Sequence, residues 1–339
     1  MNLSEGMDRM HTHTSSLDNQ FYYRPMRGNC VYFIGIGGIG MSAVARILLN
    51  EGCVVAGSDI RPSSLTSTLE KMGARINTRQ DGSFMTSDTD MVVISAAISE
   101  DNPDLKTARE MGIKVVKYSQ ILGSLMKEKR GIAISGTHGK TTTSAMISSV
   151  LKTAGLDPTF VIGGEVPDIG GNAHLGKGDL FVAEACEYDR SFLNLVPQVG
   201  VITNIEEDHL DYYENIEKIV SAFGDFASLI SKEGLLVVNN HDKNILLAMQ
   251  RANCKVETYS LDSTSDWNGK VLSSGNGTNR FSIFRKNTFF DDFTLKIPGS
   301  HNILNALAAT AVCTFIGVDK ISIKSALASF RGANRRFQI

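Results

Sequence analysis

The chain has 339 residues, 42% of them apolar and 21% charged, with 34 basic against 36 acidic side chains. That length implies more than one domain. The near-neutral balance offers no global charge for nucleic acid or an acidic membrane surface, so any anionic ligand needs a local site. Five dispersed cysteines with no C-x-x-C pair argue against a disulfide framework or a structural zinc and point to a reducing, cytoplasmic setting. No run of about 18 apolar residues and no signal-peptide pattern is present, so no membrane insertion is expected.

Residues 1–27 are polar and aperiodic and read as a disordered tail whose "HTHT" histidines are solvated rather than metal-bound. From there short apolar runs alternate with amphipathic stretches. Strands are expected at 31–36, 53–59, 91–97 and 114–117, with helices over 40–50, 64–74 and 103–112. Continuous apolar strands alternating with helices mark a parallel sheet covered on both faces, giving a first α/β domain over 28–126. The charged "MKEKRG" (126–131) reads as a linker, and the pattern restarts in a second α/β domain over 127–328. Its expected strands are 131–135, 180–185, 199–204 and 234–239, with helices from about 139 to 154 and 215 to 230. Antiparallel strands follow in "RFSIFR" and "FFDDFTLKI", then helices over 302–317 and 319–330. Residues 329–339 begin a further element that the sequence does not complete.

Two loops carry phosphate chemistry. "GTHGKTTT" (136–143) follows a buried strand and opens a helix, where amides without intrahelical partners and the helix dipole favour an anion. Lys140 adds a mobile cation for terminal phosphates, and Thr141 stands where such loops hold Mg²⁺. The usual G-x-x-x-x-G-K-[ST] spacing puts a glycine at 134, but Ile134 is there and the nearest upstream glycine is Gly136. The second loop, with Gly35, Gly37, Gly38 and Gly40, fits G-x-G-x-x-G between strand and helix, and Asp59 ends the next strand. Alone it fits NAD, FAD or any nucleotide diphosphate.

Acidic groups follow two strands of the second domain: Glu184, Glu187 and Asp189, then Asp208, His209 and Asp211 beside Asn204. Ligands gather beyond the carboxyl ends of parallel strands, so both groups converge on the phosphate loop and suit a metal bridging phosphate and substrate. Asn302 and Asn305, three apart on one helix face, suit an adenine edge or ribose; helix capping by Ser300 or Asn302 is the alternative.

In this order "GIGGIGMS", "GSDI", "VVISAAI", "GTHGKTTT", "AEACEYDRSF", "TNIEEDHLDYY", "PGSHNILNALAA" and "FRGANRRF" resemble the Mur ligases, ATP-dependent amide-forming enzymes of peptidoglycan synthesis, and their alanine-adding branch most. The resemblance spans residues 33–337, and the shortened loop is the form this family uses. It implies a Rossmann-like first domain for the UDP part of a sugar nucleotide, a central ATP-binding domain, and a third domain for the amino acid. UDP-N-acetylmuramate and L-alanine would be the substrates, with ATP and Mg²⁺ as cofactors. Gly35, Gly37, Gly38 and Gly40 would cradle the UDP diphosphate, with Ser58, Asp59, Ser95 and Ala96 nearby. Gly136, Thr137, His138, Gly139, Lys140, Thr141 and Thr142 would hold ATP phosphates, and Asn302 and Asn305 would face adenosine. Thr141 and Glu184 would hold one Mg²⁺, His209 a second, and Arg336 would approach the γ-phosphate.

Two departures accompany the resemblance. Several relatives carry a carbamylated lysine about fifteen residues after the histidine matching His209, whereas "SAFGDFAS" (221–228) has no lysine. Only residues 329–339 could begin the third domain, so complete ligation by this chain alone is not expected. The alternatives are a ligase that attaches a recovered tripeptide to the same sugar nucleotide, an NAD-dependent oxidoreductase, and a non-catalytic nucleotide-binding module.

Overall fold

Two sheets, each built from strand–helix alternation, organise the computed structural model, which describes residues 24–261 and 265–333. The first comprises β1 (Cys30–Ile34), α1 (Ile39–Asn50), β2 (Val54–Ser58), α2 (Ser64–Lys71), β3 (Arg75–Asn77), β4 (Met91–Ile94), α3 (Pro103–Glu110), β5 (Lys114–Lys117) and α4 (Tyr118–Lys127). Its strands are all parallel in the order β3-β2-β1-β4-β5. Every residue of β1 is buried because helices cover both faces. Strand order reverses beside β1, so its carboxyl end and that of β4 frame the crevice where such sheets bind ligands.

The second sheet begins with β6 (Arg130–Ser135), α5 (Lys140–Thr153), β7 (Thr159–Val161), β8 (Ala173–His174), β9 (Leu180–Glu184) and β10 (Pro197–Ile202). It continues through α6 (Leu210–Tyr213), α7 (Ile216–Ser228), β11 (Leu235–Asn239), α8 (Lys243–Ala248) and β12 (Lys255–Ser260). The last elements are β13 (Trp267–Gly275), β14 (Thr278–Arg285), β15 (Thr288–Leu295), α9 (Ser300–Ile316) and α10 (Lys320–Ser329). The order is β15-β14-β13-β12-β11-β10-β6-β9-β7-β8, with β13-β14-β15 antiparallel as the sequence suggests. β6 is the middle strand of β10-β6-β9, so the loops after these three strands are neighbours.

Where a linker is expected, α4 runs to Lys127 and only two residues separate it from β6. Ile121, Leu122, Leu125 and Met126 of α4 are buried in an apolar cluster reaching from Val31 and Val93 of the first sheet to Phe181, Phe192 and Phe223 of the second unit. Polar contacts add to this: Lys117 Nζ, at the end of β5, donates to Asp189 at 2.6 Å, and Asn194 Nδ2 donates to Ser119 Oγ of α4 at 3.1 Å. A second cluster joins α5, α9 and α10 to the opposite face of the second sheet. Arg24, assigned to the tail by sequence, pairs with Glu51 at 2.7 Å and with Glu128. The "HTHT" histidines lie outside the described residues.

The β12–β13 pair is held by a buried acid. Glu257, 2% exposed, accepts from Trp267 Nε1 at 2.7 Å and Lys255 Nζ at 2.6 Å, with Arg285 at 3.4 Å. Burial pushes its carboxyl up, but Lys255, Trp267 and Arg285 outweigh that and hold it below the ordinary glutamate value. A folded-state value below the unfolded one gives stability that is present above the unfolded value and lost as pH falls through the folded one. Glu257→Ala is therefore expected to cost about 1–3 kcal/mol at neutral pH, chiefly by orphaning the fully buried Trp267 N–H. Urea unfolding across acid pH should show the difference from wild type shrinking once Glu257 protonates; a gap independent of pH would reject this account.

Candidate functional site

The strand–turn–helix at 131–143 is built around two glycines in left-handed backbone. Gly136 has φ 129° and Gly139, the residue preceding α5, has φ 85°. The segment after β10 braces the shortened loop. Thr137 N–H donates to Asn204 O at 3.1 Å, His138 N–H to Asn204 Oδ1 at 2.8 Å, and Glu206 N–H to Thr137 Oγ1 at 3.0 Å. Thr203 Oγ1 donates to the His138 carbonyl and Thr203 N–H to the Ser135 carbonyl at 3.0 Å. With Thr137 and His138 committed to this brace, the first amides of α5 remain to face an anion.

Lys140 does not project into solvent. Its ammonium donates to the carbonyls of Gly136 and Thr137 and to both oxygens of Glu187, at 3.0 and 2.9 Å. The Lys140 side chain is 17% exposed and that of Glu187 4%. Glu187 is pinned from behind by the buried Tyr213 hydroxyl, which donates to the Glu187 carbonyl. Burial pushes the Tyr213 phenol well above its ordinary value, so it stays a neutral donor.

Glu187, Asp208 and His209 bring ligand-type atoms within 4.8 Å of one another. His209 adopts φ 52° immediately before α6, and its ring packs on Tyr188 with centroids 4.9 Å apart. Glu184 lies apart from this group and accepts the Gly163 N–H. The sequence reading counted Glu187 and Asp208 among the acidic groups suited to a metal but gave an individual ligand role to His209 and Glu184; the structure brings Glu187 and Asp208, not Glu184, to His209.

Beside the loop is a cavity of about 630 Å³ lined by His138, Gly139, Thr142, Asn302 and Asn305. Asn302 Nδ2 donates to Pro298 O at 2.6 Å and Asn305 Nδ2 to Asn302 Oδ1 at 3.2 Å, which fixes both amides. Asn204, Asn239, Tyr259, His301 and Arg331 also line it; of these, sequence reading named Asn204 but gave it no part in this pocket. Arg336 lies outside the described residues.

At the first loop Gly35 has φ 80°. Gly37 N–H donates to Asp59 Oδ2 at 2.8 Å, and a side chain at Gly37 would run into that carboxylate. The acid is therefore committed to the loop itself, where an NAD site would leave it for a ribose. Gly40 packs against the Tyr118 ring, the first residue of α4. Ser95 is half-buried and Ala96 exposed at the end of β4, beside the loop. Ser58 departs from expectation: it is fully buried and donates to Asp104 at 2.5 Å, within a core network that includes Tyr32. Neighbouring strand residues point to opposite faces, so Asp59 reaches the loop and Ser58 does not.

No helix among the described residues is long and apolar enough to cross a membrane. The five cysteines are free, with Cys186 exposed beside Glu187. Matches to known proteins cover both sheets. Residues 30–130 match the Mur ligase family catalytic domain and residues 134–313 the Mur ligase middle domain. The UDP-N-acetylmuramate–L-alanine ligase of Caldanaerobacter subterraneus is 43% identical over 311 residues, 91% of this chain and 67% of the relative. That of Acetivibrio thermocellus is 44% identical over 318 residues, 93% and 68% respectively. The crystal structure of UDP-N-acetylmuramate–alanine ligase from Thermotoga maritima superposes with TM-score 0.81 at 32% identity, over 91% of this chain and 70% of that one. A UDP-N-acetylmuramate:L-alanyl-γ-D-glutamyl-meso-diaminopimelate ligase from Neisseria meningitides superposes with TM-score 0.84 at 26% identity, over 91% and 100%. The chain thus spans about two thirds of the length of the first two relatives. With two sheets in family order and a shortened loop braced from β10, the chain belongs to the Mur ligase family.

Proposed function

We propose that the chain serves the ATP-dependent joining of L-alanine to UDP-N-acetylmuramate in the cytoplasm. The observation that carries this reading is the pairing of two glycine loops on contiguous sheets, only one of which holds a lysine. A dehydrogenase has no use for the Lys140 loop, and among the solved structures the tripeptide-adding ligase is 26% identical against 32% for the alanine ligase.

In this reading the loop of Gly35, Gly37, Gly38 and Gly40 brings the UDP diphosphate to the start of α1, whose first amides hold it, with Ser95 and Ala96 beside it. Gly136, Thr137, His138, Gly139, Lys140, Thr141 and Thr142 surround the ATP phosphates, and Asn302 and Asn305 orient the adenosine. The lactyl carboxylate attacks the γ-phosphorus, giving an acyl phosphate and ADP. The alanine amine then attacks the acyl carbon and phosphate leaves. Lys140 offsets the repulsion between a carboxylate and a polyphosphate that opposes the first attack.

The residues present fit Mg²⁺: two carboxylates and an imidazole lie within 4.8 Å, and oxygen donors suit that ion. Glu187, Asp208 and His209 would hold one ion, and Thr141 and Glu184 another; bound there, Mg²⁺ supplies charge neutralisation at the phosphates.

The test is calorimetric titration with UDP-N-acetylmuramate, Mg-ATP and NAD, followed by trapping with hydroxylamine. Both substrates should bind, and together they should yield a hydroxamate from the acyl phosphate. Tight NAD binding with no response to UDP-N-acetylmuramate would reinstate the oxidoreductase.

A further inference from the structure

All the polar partners of the Lys140 ammonium lie inside the protein: two loop carbonyls and both oxygens of Glu187. A polyphosphate arriving alone must draw Lys140 away from a carboxylate that is 3% exposed and would be left without its cation. It must also approach that carboxylate's charge. A nucleotide arriving with a divalent cation brings a replacement, because Asp208 and His209 stand within 4.8 Å of the same Glu187 carboxylate.

We propose that Glu187 is an exchangeable counter-ion for Lys140, a positioning residue that makes nucleotide binding conditional on the metal. Without metal it holds Lys140 down; with metal it turns to the cation and releases Lys140 to the phosphates. Such an exchange makes metal and nucleotide binding reciprocally coupled. The inference rests on reading 136–142 as the phosphate loop.

The experiment compares ATP affinity in EDTA and in excess Mg²⁺ for wild type, Glu187→Gln and Asp208→Asn. Glutamine keeps the shape of Glu187 and an acceptor for Lys140 while removing the charge. Glu187→Gln is expected to tighten metal-free ATP binding about fivefold or more, and to reduce the metal-free to Mg²⁺ dissociation-constant ratio about tenfold. Asp208→Asn removes an equal charge that makes no hydrogen bond to Lys140 and should tighten metal-free binding less than half as much as Glu187→Gln does. Unchanged or weaker metal-free binding in a folded Glu187→Gln, or equal tightening in Asp208→Asn, would overturn the exchange. If no protein binds ATP under any condition, the phosphate-loop reading has failed instead. Should Glu187→Gln not fold, competitive acetylation of wild type decides. Mg²⁺ alone should raise the modification rate of Lys140 about threefold or more as Glu187 turns away; an unaltered rate would overturn the proposal.

Discussion

Lys140→Ala is expected to weaken Mg-ATP binding by about 10–100-fold, the worth of a charge-assisted phosphate contact of about 1.5–3 kcal/mol. Unlike most lysine-to-alanine changes it should also lower stability. Glu187, with only 4% of its side chain exposed, loses the cation that offsets its desolvation. Removing one partner of a buried ion pair costs about 3–5 kcal/mol, and the partial exposure of Lys140 puts the expectation near the lower end. The double variant Lys140→Ala/Glu187→Gln should recover much of that stability without recovering ATP affinity. Calorimetry and thermal unfolding on the three proteins separate the two effects. An unchanged ATP affinity in Lys140→Ala would remove the phosphate-loop assignment.

Gly136→Ala should be more damaging than any other single change in the loop. At φ 129° an alanine is strained, and its methyl would collide with the Thr203 hydroxyl and lie 3.0 Å from the Thr203 amide. Thr203 is 4% exposed and holds the His138 and Ser135 carbonyls, so it cannot move without undoing the brace. The expected cost is about 3 kcal/mol or more, with ATP binding lost even in the molecules that remain folded. Gly139→Ala offers the internal comparison. There φ is 85° and the nearest obstacle is the Asn305 side-chain oxygen at 2.8 Å, so about 1–2 kcal/mol is expected. Chemical denaturation of both variants gives the ranking, and equal losses would show that Thr203 is not the rigid element.

Much of this architecture is legible because both sheets bury long apolar strands beside glycine turns. Val31–Ile34 and Ile132–Ile134 could hardly be anything but inner strands, and the turns after them announce ligands. What escapes notice is short or polar. β3, β7 and β8 have only two or three residues, too few for a period to show. β12 carries Glu257 and Thr258 at its centre and is a strand because Lys255 and Trp267 satisfy the acid. Helix α4 is hidden for another reason. Its stripe of Ile121, Leu122, Leu125 and Met126 has helical spacing, but it runs into the charged "MKEKR" and so reads as the approach to a linker. At the candidate site, sequence finds the acidic group after β9 but cannot say which carboxylate turns inward. Glu184 ends the strand, opposite Ile134 of β6, while Glu187 lies three residues on, in a loop whose path depends on Tyr213. The left-handed residues Asp189 and Arg190 just beyond it have no sequence signature either.

The apolar cluster that passes through α4 sets how the molecule can come apart. Val31, Met126, Phe181 and Phe223 share one interior, so pulling the two sheets apart would strip the packing from one face of each. A cavity at Phe192 or a cut within α4 is therefore expected to disturb the packing beneath both glycine loops at once. Replacing the first sheet by a foreign one would bare Phe181, Phe192 and Phe223 to water unless α4 and its facing residues came with it.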